Sequence, residues 1–130
     1  MGSSKMSAVL FASNLEKVAK FYVHALEMPC KTFDEDHWLL NGHDFDLVIH
    51  QIPKQYLCED TENQSPPKRR ESAAIRLNFP IKNIEEARKS AKALGGQIDE
   101  PQSGAKHRNP TFFLGYDPEG NVIGINHEQG

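Results

Sequence analysis

Apolar and polar positions change rhythm several times along this chain, and the changes mark its elements. Residues 6–12 form a short, mostly apolar run, as expected of a buried strand. Leu15, Val18, Ala19, Tyr22, Ala25 and Leu26 then recur with a period near 3.6, which places them on one face of a helix. Ser13 with Glu16 three residues later reads as a capping box, and Asn14 is the other candidate cap. Pro29 is the predicted stop. Three short strands follow, at 32–33, 38–40 and 45–52. The acidic turn Asp34-Glu35-Asp36 divides the first two, and Asn41-Gly42, a hairpin signal, divides the last two.

Residues 53–72 break the pattern with Pro53, Pro66 and Pro67 among many polar and charged residues, which predicts a linker or exposed loop. The rhythm then restarts. Residues 73–79 read as a strand. Asn83 caps a second helix with an apolar stripe at Ile84, Ala87, Ala91 and Leu94, and Gly95-Gly96 ends it. Strands are predicted at 97–98, 111–114 and 121–126. The segment Tyr116-Asp117-Pro118-Glu119-Gly120-Asn121 is a tight turn feeding the last of them. Asn14-Leu15-Glu16 and Asn83-Ile84-Glu85 hold the same place in each half, 69 residues apart. The chain therefore reads as strand–helix–three strands, twice, with two similar modules sharing a core.

Length and charge narrow this further. The 130 residues suit one domain over 1–130, with module one at about 6–52, a polar loop at 53–72 and module two at about 73–127. A net charge of −3 gives no reason to expect nucleic acid, and the basic run Lys68-Arg69-Arg70 lies among Glu59, Asp60, Glu62 and Glu71. Cys30 and Cys58 match no zinc spacing and read as reduced thiols of a cytoplasmic protein. No apolar run approaches the roughly 20 residues of a membrane span. The first residues lack the apolar core of a secretory signal.

Phe21-Tyr22 in the first helix, Leu94-Gly95-Gly96 closing the second and the Asp117–Asn121 turn resemble, in order and spacing, the vicinal oxygen chelate superfamily. That superfamily includes glyoxalase I, extradiol dioxygenases and the fosfomycin- and bleomycin-resistance proteins. The resemblance covers roughly residues 6 to 127. It implies an α+β fold in which two βαβββ modules form a U-shaped, cavity-enclosing mixed sheet. Leu26-Glu27 stands where such proteins usually have Leu-Gly. In the metal-dependent relatives, each module gives two His or Glu ligands to one divalent ion. Those four positions correspond here to Ser7, Asp46, Arg76 and Gly124. Only Asp46 is a good ligand, and a guanidinium repels a cation. The expectation is a protein with no metal and no cofactor at this place.

Strand alternation gives what takes its place. Arg76 shares a face with Ala74 and Asn78; Asp46 with Val48 and His50; Gly124 with Val122 and Asn126; Ser7 with Val9 and Phe11. Arg76 and Asp46 either form a buried ion pair, or Arg76 binds a carboxylate or phosphate bidentately. His50 is about 13 Å along the strand from Asp46, so the two cannot hold one ion together. Trp38, Phe112 and Phe113 are the large aromatics expected near the cavity mouth, with core packing as their default role. The candidate ligand-binding residues are thus Arg76, Asp46, His50, Trp38, Asn78, Phe11 and Phe112, with no catalytic residue assigned. Two functions follow from the resemblance. One is a homodimeric, non-metal binder of a small, anionic or aromatic ligand, like the bleomycin-resistance branch. The other is a metal-dependent lyase or dioxygenase with a rebuilt site. Fold alone does not decide between them.

Overall fold

In the computed structural model, the described residues are 5–57, 66–100 and 111–127; Cys58 and His107 lie outside them. Module one runs β1 (Met6–Ala12), α1 (Leu15–His24), β2 (Cys30–Phe33), β3 (His37–Asn41) and β4 (Phe45–Gln51). A single 3-10 turn at Lys54–Tyr56 follows. Module two runs β5 (Leu77–Ile81), α2 (Ile84–Ala93), β6 (Gln97–Ile98), β7 (Phe112–Tyr116) and β8 (Val122–His127). The two modules repeat one topology. Their four-stranded sheets have the orders β1-β4-β3-β2 and β5-β8-β7-β6. In each, the first and last strands of the module pair in parallel and the other pairs are antiparallel. The chain is an α+β protein of two βαβββ modules, as its patterning predicts.

Each helix covers one face of its sheet. Leu15, Val18, Ala19, Phe21 and Tyr22 of α1 meet Leu40, Leu47 and Ile49 in a core that continues into Phe79, Ile81, Ile123 and Ile125 of module two. Burying a side chain the size of Phe21 contributes about 1.5–3 kcal/mol, so this shared cluster is the main apolar term joining the modules. Its packing is close. A Cβ on Gly96 would stand 2.4 Å from the Phe21 ring.

The Asp117–Asn121 turn adds a polar clamp at the same seam. Asp117 is fully buried. Its Oδ2 accepts the Tyr22 hydroxyl at 2.7 Å and the Asn121 amide at 2.8 Å. Its Oδ1 accepts the backbone N–H groups of Glu119 and Asn121 at 2.9 and 3.0 Å. Two residues on, the Glu119 carboxylate accepts the backbone N–H groups of Ser13 and Asn14 at 2.9 and 2.8 Å, an anion at the positive end of α1. The β7–β8 turn of module two thus meets the start of the helix of module one.

Several local expectations are corrected. The Ser13–Glu16 capping box does not form. Asn14 caps α1 by accepting from the N–H of Lys17, and Glu16 pairs with Lys20 at 2.7 Å. Glu119 accepts the Ser13 N–H that Glu16 would take in such a box, and Gln51 donates to the Ser13 carbonyl. The helix ends at His24, before Pro29, through a turn that puts Glu27 at φ 57°. The strand predicted at 73–79 begins only at Leu77 and continues through Pro80 to Ile81. Pro80 is tolerated because β5 is an edge strand, where a missing N–H breaks no ladder. Asn83 and Gly95-Gly96 act as expected. The Asn83 side chain caps α2, Gly95 takes φ 96°, and the Gly96 N–H closes back on the Ala91 carbonyl.

Asp117→Ala leaves the Tyr22 hydroxyl and two backbone donors without their buried partner. It lowers unfolding free energy by about 2–4 kcal/mol in denaturant titrations. Burial pushes the Asp117 carboxyl above its ordinary value, although four donors pull against it. A raised folded-state value gives stability that is present below the ordinary carboxylate range and lost as pH rises. The stability of wild type minus that of Asp117→Asn therefore falls as pH is raised from about 4 to 7. Glu27→Gly removes a side chain from the left-handed region and raises stability by about 0.5–1 kcal/mol, read as a higher melting temperature.

Candidate functional site

Strand alternation leaves one face of each sheet without a helix. On β4, Leu47 and Ile49 point under α1, whereas Asp46, Val48 and His50 share the other face. Ser7, Val9 and Phe11 join that open face from β1, their Cα partners being Asp46, Val48 and His50. Val9 and Phe11 are 52% and 58% exposed, which is unusual for such side chains within a sheet. In module two, Asn78, Gly124, Leu114, Phe112 and Asn126 occupy the corresponding open face. Trp38 does not join these residues. It is the cross-strand partner of Ile49, on the helix-covered face, and its ring packs on Phe33 at 5.1 Å. Phe113 is buried, with the Arg88 guanidinium 4.6 Å over its ring.

Each of Ser7, Asp46, Arg76 and Gly124, the positions that the resemblance matches to metal ligands, has neighbours of its own. Ser7 and Asp46 are register partners, but Asp46 is paired with Lys5 at 3.2 Å. Gly124 lies opposite Asn78, and the space of a side chain at 124 is already filled. A Cβ there would stand 2.1 Å from Asn78 Oδ1 and 2.8 Å from the Phe112 ring. Arg76 completes this group. Its Nε donates to Asn78 Oδ1 at 3.0 Å, and its guanidinium carbon sits 4.9 Å from the Phe112 centroid. The ion pair between Arg76 and Asp46, one of the two arrangements open from sequence, is not formed; Asp46 pairs with Lys5 and Arg76 with Asn78. Arg76 is also exposed rather than buried, so water covers its charge without a carboxylate partner.

Arg76 and Asn78 line a cleft of about 780 Å³ between the modules. Its walls are the turn after α1 (Leu26, Met28), the β3–β4 hairpin (Phe45) and β5 (Phe79), so they are mainly apolar. Arg76 and Lys82 place two cations on it, and Glu27 and Asp44 two anions. That volume and lining match a small-ligand pocket. Residue patterning missed this cleft because it is built from the ends of elements, not from one strand face. The available signal was Leu26-Glu27, a glutamate in a turn that favours glycine.

His50 lies on the open face of module one, with Phe11 5.8 Å from its ring. Its stacking partner is His37, its cross-strand neighbour on β3. The rings are 6.1 Å apart and nearly parallel. Asp46 and His50 are both on β4 but have separate partners. Among the described residues, no three His, Cys, Asp or Glu side chains are grouped to hold a metal ion. No helix among them is long and apolar enough to cross a membrane.

Gly124→Ala tests the packing around Arg76. The atoms that a Cβ meets are the ends of side chains, so they rotate away at low cost. Stability falls by less than about 1 kcal/mol, while the Asn78 amide and Phe112 ring resonances shift in NMR spectra.

No family model matches the chain, and no curated protein sequence matches it. Solved structures do. A glyoxalase/bleomycin resistance protein from Albidiferax ferrireducens T118 superposes with a TM-score of 0.65 at 17% identity, covering 95% of this chain and 98% of that one. The fosfomycin resistance protein FosX from Mesorhizobium loti gives 0.63 at 14% identity, covering 98% and 92%. FosX from Listeria monocytogenes gives 0.59 at 15%, covering 100% and 94%. At these identities the likeness speaks for the fold alone, and over nearly its whole length this chain has the two-module fold of those glyoxalase/bleomycin-resistance and fosfomycin-resistance proteins.

Proposed function

We propose that this protein binds a small amphipathic anion without a metal at the four positions used by metal-dependent relatives. The observation that carries the reading is Arg76, an exposed guanidinium without a carboxylate partner among the described residues, held by Asn78 and Phe112 at the edge of an apolar cleft. A guanidinium in a fixed orientation offers two parallel donors to a carboxylate, phosphate or phosphonate. The apolar wall beside it suits the rest of such a ligand, and Phe112 adds a ring near the charge. Nothing in this arrangement supplies a nucleophile paired with a base, so binding rather than turnover is the reading that the residues support.

We further propose that the chain works as a homodimer. Val9, Phe11 and Phe112 stand exposed on sheet faces that have helices on the other side only. Apolar groups in such positions favour burial against a second surface. A second copy would cover both open faces symmetrically and bring Asp46, His50 and Phe11 close to a bound ligand.

Arg76→Ala weakens binding of small aromatic carboxylates or phosphonates at least about tenfold, measured by calorimetry, with the melting temperature changed by only a few degrees. Unchanged affinity in a folded variant contradicts the assignment. So does a collapse in melting temperature that also appears in Arg76→Lys, since that would make Arg76 structural.

A further inference from the structure

We infer that the ligand of the cleft between the modules is a zwitterion, with its anionic group on Arg76 and an ammonium group on Glu27. This rests on the anion-binding reading above and extends it to the other wall of the same cleft. The charges there are sorted by module. Arg76 and Lys82 flank β5, whereas Glu27 and Asp44 belong to the turn after α1 and to the β3–β4 hairpin. Opposite charges within about 4 Å of each other would pair directly. Here they do not. Among the described residues, the Glu27 carboxylate has no hydrogen bond or ion pair, and the Arg76 guanidinium has only Asn78 and the Phe112 ring. Both charges are therefore available to a ligand. A ligand with an anionic group alone meets Arg76 but also enters a mainly apolar cleft that carries two carboxylates, and like charges there repel. An ammonium on the same ligand turns that repulsion into a second pairing.

Glu27, rather than Asp44, is the residue in that role. The Asp44 side chain is 91% exposed on the hairpin, with His43 Nε2 3.9 Å away. Glu27 stands between Leu26 and Met28, whose buried side chains fix the chain on either side of it. The Met28 N–H also donates to the Tyr22 carbonyl at 3.2 Å, so the turn is held through its backbone. At φ 57°, position 27 lies in the left-handed region, which glycine enters without steric cost. The turn itself thus gives no reason for a long acidic side chain at 27. Backbone strain of this kind collects at ligand sites, and the strained residue here lines the cleft.

Two probes of nearly equal shape, para-aminomethylbenzoate and para-ethylbenzoate, differ in the ammonium group. Titrated in a calorimeter into tag-free wild-type protein at low ionic strength, the zwitterion is expected to bind at least about fivefold more tightly, a comparison that needs no variant to fold. Glu27→Gln, which keeps the size of the side chain, abolishes that preference without weakening para-ethylbenzoate. Asp44→Asn retains the preference, and Arg76→Ala weakens both compounds. Equal affinity of the two compounds for wild type overturns the zwitterion and leaves the anion site standing. A preference that survives Glu27→Gln, or one lost in Asp44→Asn instead, overturns the role of Glu27. Binding of neither compound at millimolar concentration contradicts the anion-binding reading itself, and this inference falls with it.

Discussion

A carboxylate buried between the two modules, Asp117, governs how the rest of this molecule is arranged. It accepts from the Tyr22 hydroxyl on α1 and from three donors of its own turn, while Glu119, from the same turn, caps the start of α1. Burial and the adjacent carboxylate push the Tyr22 phenol up, so it stays a donor. The clamp and the apolar cluster around Phe21, Phe79 and Ile81 act on one seam. Because α1 meets both its own sheet and module two, the helices are spent on joining the modules. The sheet faces away from the helices are left open.

That arrangement determines where chemistry can sit. The helix-covered sheet faces hold mainly Leu, Ile and Phe. The open faces hold the residues with functional groups: Asp46, His50 and His37 on one sheet, and Arg76, Asn78 and Phe112 beside the other. In module two, Asn78 and Phe112 occupy the space above Gly124. A guanidinium stands in the same neighbourhood. A guanidinium held in one orientation is a donor pair for an anion, which is what the proposed function rests on.

The fold was legible because its signals are local and repeated. Two asparagine caps lie 69 residues apart, two helical stripes have matching length, and a Gly95-Gly96 stop ends the second helix. Strand alternation also gave the open-face residues correctly on β1 and β4. The errors arose where tertiary contacts outvote local preference. The Ser13–Glu16 box does not form because Glu119, over a hundred residues away in sequence, accepts the Ser13 N–H that Glu16 would have taken. The end of β5 was placed too early, at residue 79, because Pro80 reads as a strand breaker unless the strand is known to be an edge. The site was less legible for the same reason. Alternation gives a face but not a neighbour, so Trp38 was expected at the cavity mouth while its register partner is Ile49. The pairing of His37 with His50, and of Asp46 with Lys5, depends on hairpin register and on the chain end.

The claim most exposed to test is that the two open faces are halves of a surface completed by a second copy. Multi-angle light scattering on tag-free protein at micromolar concentration measures it directly. The account predicts a mass twice that of the 14.7 kDa chain. A monomer mass that persists as concentration is raised to about a millimolar would contradict it, since Val9 and Phe11 would then remain in water.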